Sequence, residues 1–64
     1  MTGTEVREAR LAAGLTQEQL AHRAGVAFAT ISRIENGRGR PQAATVAVIS
    51  AALERAATEG PTAR

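Results

Sequence analysis

A chain of 64 residues has room for one small domain, whose fold covers only about 60% of the surface that the unfolded chain exposes. Eight arginines against six glutamates give a formal charge of +2, and no apolar run reaches the roughly 20 residues of a membrane-spanning helix. The chain has no cysteine, no aspartate and one histidine, which excludes a disulfide scaffold and leaves no set of metal ligands or catalytic groups. We therefore expect no cofactor, no metal and no enzymatic activity.

Three glycines about a dozen residues apart, Gly14, Gly25 and Gly37, predict the ends of three short helices, because glycine is favoured just past a helix end. The first predicted helix runs from about Thr4 to Ala13. Its inward face, at spacings of three, four and seven residues, comprises Val6, Ala9, Arg10 and Ala13. The second begins at "TQEQ", where Thr16 as N-cap and Gln19 three residues later predict a capping box.

The third predicted helix spans Phe28 to Asn36 and directs Ile31 and Ile34 inward. Its outward face comprises Ala29, Ser32, Arg33 and Asn36, and its flank carries Phe28 and Glu35. The loop "NGRGRPQ" separates it from a fourth helix that extends to about Thr58. The predicted inner stripe of that helix comprises Ala43, Val46, Ile49, Ser50 and Leu53. With no strand pattern, the sequence predicts an all-α, compact four-helix domain over residues 1–64, with residues 61–64 as a frayed tail.

The connection "AGVA" is too short for antiparallel packing of the second and third helices and favours a corner between them. The segment "GLTQEQLAHRAGVAFATISRIENGRGRP" resembles the Cro and lambda-repressor type, or XRE-like, helix-turn-helix family, and the resemblance covers about residues 6–53. It implies a lambda-repressor-like domain that regulates transcription, as a repressor, by binding a palindromic operator in double-stranded DNA. It also implies a bacterial or phage-encoded cytoplasmic protein associated with the nucleoid.

The resemblance implies that the third helix enters the major groove, so its outward residues are the expected base contacts. Arg33 can donate two hydrogen bonds to guanine, and Ser32 can bond a base edge or a phosphate. Phe28 and Ala29 can pack on thymine methyl groups at the start of the helix. Phe28 has an alternative interpretation as a core or dimer-contact aromatic.

Phosphate contacts are expected around the edge of this surface. Gln17 begins the second helix, where free amides and the helix dipole favour an anion, and family members commonly use a glutamine there. Thr30 and Asn36 border the third helix, and Arg38 and Arg40 follow it in the loop. The alternative for the two loop arginines is a role in solubility alone.

Four further residues have structural interpretations. Arg10 lies among apolar residues and Glu35 on a half-buried flank, so the two are expected to form an ion pair, as matched positions in the family often do. His22 is expected to be an ordinary surface histidine. Ala27 stands where the family usually has a serine or threonine that caps the third helix, so that cap is absent.

The fourth helix has a second apolar face outside its core stripe, made of Ala44, Ala47, Val48 and Ala51. We expect two chains to pair along this face and place two recognition helices about 34 Å apart on DNA. The alternative is an antitoxin or adaptor module that uses the fourth helix to bind a protein partner.

Overall fold

The computed structural model describes residues 1–59 and contains four helices: α1 (Gly3–Ala12), α2 (Gln17–Ala24), α3 (Phe28–Glu35) and α4 (Ala43–Glu59). The predicted all-α class is confirmed, and residues 1–59 contain no strand. None of these helices is long and apolar enough to cross a membrane. The predicted frayed tail, 61–64, lies outside the described residues.

Side-chain caps and left-handed glycines set the helix ends. Thr16 accepts a hydrogen bond from the Gln19 amide, and the Gln19 side chain accepts one from the Thr16 amide, which confirms the predicted capping box. A second capping box joins Thr2 and Glu5 at the start of α1. Gly25 ends α2 with φ 73°, a left-handed conformation that costs a residue with a Cβ appreciable strain.

The core lies where all four helices meet, and α2 packs extensively against both α3 and α4. Its four largest fully buried side chains come one from each helix: Val6, Leu20, Ile31 and Ile49. The predicted inward residues of α3 are confirmed, because Ile31 and Ile34 are both buried. This packing fixes the rotation of α3 about its own axis, and with it the face that α3 shows to solvent.

The prediction for α4 is partly wrong. Ile49 and Leu53 are buried as expected, but Ala43 is exposed, and the unpredicted Ala52 and Ala56 complete the buried stripe. The stripe is turned toward the side of α4 that packs on α2, where Glu59 pairs with Arg23 at 2.7 Å. Nearly every side chain in the first turns of α4 is small and apolar. Hydrophobic periodicity alone therefore did not identify the side of α4 that faces the core.

Candidate nucleic-acid interface

The α2–α3 connection is the tight turn that the sequence predicts. Three residues, 25–27, separate the helices, and the Val26 amide donates to the Ala21 carbonyl at 3.0 Å across the end of α2. Val26 then packs against the core, which fixes where α3 begins. The outcome is a helix-turn-helix whose second helix has one buried and one open face.

The open face of α3 carries the residues predicted to contact bases. Ala29 and Arg33 are exposed and Ser32 is half-buried. Asn36, just past the helix end, is also exposed, and its amide donates weakly to the Ser32 hydroxyl at 3.5 Å. No side chain of the core covers this face, so it is available to a binding partner.

Phe28 is not a core residue of this chain. Its side chain is 48% exposed at the first position of α3, so the alternative of a buried core aromatic does not hold. It lines a shallow groove together with Leu11, which is 56% exposed, and with Gln17. An aromatic and an aliphatic side chain therefore lie beside the open face with no partner in the core.

The predicted ion pair between α1 and α3 is present, and it includes a third residue. Arg10 Nε donates to Glu35 Oε2 at 2.7 Å and Arg10 Nη2 to Glu35 Oε1 at 3.0 Å, a bidentate pair. The remaining Arg10 nitrogen, Nη1, donates to the Leu15 carbonyl at 2.9 Å. Gln17 Nε2 donates to Glu35 Oε1 at 3.0 Å, so one carboxylate joins α1, the start of α2 and the end of α3.

Burial and hydrogen bonding act in opposite directions on the Glu35 carboxylate, whose side chain is 3% exposed. Desolvation by itself raises its pKa, but the hydrogen bonds from Arg10 and Gln17 and the positive charge of Arg10 outweigh it. The net effect is a lowered Glu35 pKa, so the group stays ionised and paired at neutral pH. The same hydrogen bond raises the pKa of Arg10.

Gln17 is thus partly engaged inside the protein, a contact that sequence reasoning did not anticipate. A primary amide has two N–H donors, and the bond to Glu35 uses one of them. The other donor and the adjacent first turn of α2 remain for an anion. The predicted phosphate contact is compatible with this arrangement and stays a prediction.

The predicted phosphate-contacting residues after Gln17 lie in the first turn of α3 and in the loop that follows it. Thr30 is half-buried, and Arg38 and Arg40 are exposed in the loop. Both loop arginines line one concavity with Arg33, at the end of the open face. The structure therefore brings the loop arginines next to the helix that carries the predicted base contacts.

The start of α3 has no side-chain cap. Ala27 is its N-cap in an extended conformation, as predicted, and it makes no side-chain hydrogen bond to the first turn. The Thr30 amide donates a backbone hydrogen bond to the Ala27 carbonyl at 3.0 Å. His22, as expected, is an exposed residue of α2.

Two features near this surface were missed by the sequence analysis. A Cβ at Gly3 would overlap the Ile34 carbonyl oxygen, so α1 approaches the end of α3 as closely as a glycine permits. No local pattern signals this contact, since it joins residues far apart in the chain. The Thr2 and Glu5 cap was recognisable in "TGTE", which has the spacing of a capping box.

Comparison with known proteins agrees with the fold. The helix-turn-helix family profile matches residues 6–59. The chain is 49% identical over 53 residues to the uncharacterized HTH-type transcriptional regulator RghRB of Bacillus subtilis, a match over 81% of this chain and 38% of that protein. It is 46% identical over 52 residues to an uncharacterized HTH-type transcriptional regulator of Methanothermobacter thermautotrophicus, over 81% of this chain and 75% of that protein. No solved structure shows a significant match.

The chain therefore belongs to the XRE-type helix-turn-helix family, a non-enzymatic family of DNA-binding domains used in transcription regulation. It spans well under half the length of the Bacillus relative and about three quarters of the Methanothermobacter relative. The family resemblance drawn from "GLTQEQLA" and "ISRIENG" is confirmed.

Proposed function

We propose that this protein is a sequence-specific regulator, most simply a repressor, that reads double-stranded DNA with α3 in the major groove. The observation that carries the proposal is the open face of α3, held outward because Ile31 and Ile34 anchor the opposite face in the core. A helix presented in this way fits the width of the major groove.

Base reading is assigned to three residues of this face and to Phe28 beside it. Arg33 donates to guanine O6 and N7, a contact worth about 1–3 kcal/mol of discrimination against a wrong base. Phe28 and Ala29 pack on thymine methyl groups, and Ser32 bonds a base edge. The exposure of Phe28 supports its assignment, because burying a large apolar side chain against DNA stabilises the complex.

Phosphate contacts position the protein without reading sequence. We assign them to Gln17 at the start of α2, to Thr30 and Asn36 beside α3, and to Arg38 and Arg40 in the loop. The hydrogen bond from Gln17 to Glu35 supports this assignment. It holds the Gln17 side chain in place before DNA binds, which lowers the entropic cost of a phosphate contact.

Two copies are proposed to pair through α4. Ala44, Ala47 and Val48 are exposed on the side away from the core, and Ala51 is half-buried beside them. Small side chains allow two helices to approach closely, and a two-fold axis through this face would match a palindromic operator. Cytoplasmic location and association with the nucleoid follow from this function.

Salt-dependent binding to a fluorescent duplex of mixed sequence tests DNA binding against the alternative of a protein-interaction module. A DNA-binding domain loses affinity as salt rises, with a slope of log K on log salt near −0.9 for each phosphate contacted. We expect a slope of several units in fluorescence anisotropy. Absence of binding at low salt would favour an antitoxin or adaptor that uses the exposed α4 face for a protein partner.

A further inference from the structure

A concavity between α3, the loop that follows it and the first turn of α4 combines three arginines and three further hydrogen-bond donors with the apolar residues Ile34 and Pro41. We call it the arginine concavity, and its volume of about 330 Å³ is at the lower end of the range for small-ligand sites. Its polar lining comprises Thr30, Arg33, Arg38, Arg40, Gln42 and Thr45. Gly39 and Pro41 shape its loop side.

Three guanidinium groups border this space without a carboxylate among the lining residues. The two ion pairs within residues 1–59 join Arg10 to Glu35 and Arg23 to Glu59, both elsewhere. Like charges gathered at one place repel one another, and an anion placed between them relieves that repulsion. The concavity therefore favours a negatively charged occupant.

The chemistry of the donors identifies the anion more closely. A guanidinium is a planar fork that matches two oxygens of a phosphate, and hydroxyl and amide groups supply further donors around it. A carboxylate offers two oxygens, whereas a phosphate chain offers enough acceptors for three arginines at once. Gly39, with φ 69°, lets the loop turn so that Arg38 and Arg40 border the same space.

We propose that the arginine concavity is a phosphate-binding site that accepts a phosphate chain of a free nucleotide as well as a phosphate of the DNA backbone. The second source rests on the proposed function, whereas the first does not depend on it. Because the concavity adjoins Arg33 on the open face of α3, a free phosphate chain bound there competes with DNA. A small metabolite could then control DNA binding by a domain of this size.

The first experiment uses inorganic pyrophosphate as the probe, with no DNA present. Amide signals of the 15N-labelled protein are followed at constant ionic strength, with chloride replaced by pyrophosphate. We expect a saturable shift of the Gly39 signal, while Gly14, which lies in the α1–α2 connection outside the concavity, stays in place.

Matched variants distinguish binding in the concavity from nonspecific attraction by the positive charge of the protein. Arg38→Gln combined with Arg40→Gln should weaken pyrophosphate binding by about tenfold or more for each arginine lost, since each makes charge-assisted bonds. Arg55→Gln removes the same kind of charge from α4, outside the concavity, and should change binding less than twofold. All three sites are exposed, so circular dichroism should show the fold of every variant unchanged.

A DNA arm identifies the source of the phosphate. Pyrophosphate that shifts Gly39 and displaces a bound duplex at constant ionic strength supports a free phosphate ligand that competes with DNA. A Gly39 shift with DNA alone would contradict a free phosphate ligand and leave only the backbone contacts of the proposed function. Pyrophosphate binding without any DNA binding would support the site and contradict the proposed function.

The proposal is overturned if pyrophosphate does not shift Gly39. It is equally overturned if the double variant binds pyrophosphate as the parent does, or if Arg55→Gln weakens binding as much as the loop substitutions do.

Discussion

Glu35 is the residue on which the geometry of the helix-turn-helix depends most. Its carboxylate accepts two hydrogen bonds from Arg10 and one from Gln17 while its side chain is 3% exposed. Removing one partner of a buried pair leaves the other charge uncompensated, which costs about 3–5 kcal/mol. The chain offers an internal comparison, because Arg23 and Glu59 pair at the same 2.7 Å on the surface.

We predict that Glu35→Gln destabilises the protein by several kcal/mol, a large fraction of the stability of so small a domain. Glu59→Gln, the matched control, should leave the urea midpoint almost unchanged, because exposed pairs contribute little. Urea unfolding followed by circular dichroism measures both. Equal effects of the two substitutions would contradict a special role for the buried pair.

The same carboxylate makes stability depend on acid. The Glu35 pKa is lowered in the folded protein, so between that value and the unfolded pKa of about 4.3 the unfolded chain binds more protons. Its contribution is fully present above the unfolded pKa and is lost as pH falls through the folded pKa. Thermal unfolding between pH 3 and pH 6, roughly the span of carboxyl titration, should show a steeper acid loss for the parent than for Glu35→Gln.

Gly3 should reverse the usual effect of a glycine-to-alanine change. In an ordinary helix that substitution stabilises by up to about 1 kcal/mol. Here the new Cβ would overlap the Ile34 carbonyl, so we predict a loss of about 1–3 kcal/mol for Gly3→Ala as α1 is forced away from α3. Thr4→Ala, at an exposed neighbour in the same turn, is the control and should stay within about 0.5 kcal/mol. A stabilised Gly3→Ala protein would show that α1 does not approach so closely.

At the scale of the element, α3 begins without a cap in the position where it is proposed to enter DNA. Ala27→Ser supplies a side-chain oxygen that can accept from the first-turn amides and should raise the free energy of unfolding by about 1 kcal/mol. Ala27→Val, at the same exposed position, is the control. Valine has no side-chain acceptor, so it should not raise the free energy of unfolding. Urea unfolding compares the three proteins, and no difference between serine and valine would mean that those amides are already satisfied.

The ends and inward faces of α2 and α3 could be predicted because their signals are local. Thr16 and Gln19 have the spacing of a capping box, and Gly25 is typical of a helix end. Ile31 and Ile34 are large apolar residues at helical spacing among polar ones. The α4 stripe could not be placed correctly, because alanines surround the helix and only packing against α2 selects Ala52 and Ala56.

The candidate site also has a part that the sequence predicts and a part that it does not. The outward face of α3 follows from its inward face, so Ala29 and Arg33 were correctly expected to be exposed. The bond from Gln17 to Glu35 and the close approach at Gly3 depend on how three helices meet, and no local spacing contains that information. The arginine concavity likewise needs the path of the loop, which brings Arg38 and Arg40 beside Arg33.

At the scale of the whole molecule, pairing through α4 can be tested on the protein without DNA. Ala47→Glu places two like charges at the proposed two-fold contact and should convert the protein to monomer. Ala57→Glu makes the same change at an exposed position of α4 outside the proposed face, so it should leave the assembly intact. Sedimentation velocity at tens of micromolar distinguishes the species. A parent that sediments as a monomer would contradict pairing through this face.

The central claim is base reading by the open face of α3, and selection of duplexes from a random pool tests it most directly. The parent and Arg33→Ala are run in parallel at about 0.1 M salt, where phosphate contacts alone are weakened by screening. We predict that the parent recovers an inverted repeat with a guanine in each half-site and that Arg33→Ala loses the guanine preference. Recovery of no sequence by the parent, or an unchanged guanine preference in Arg33→Ala, would contradict it.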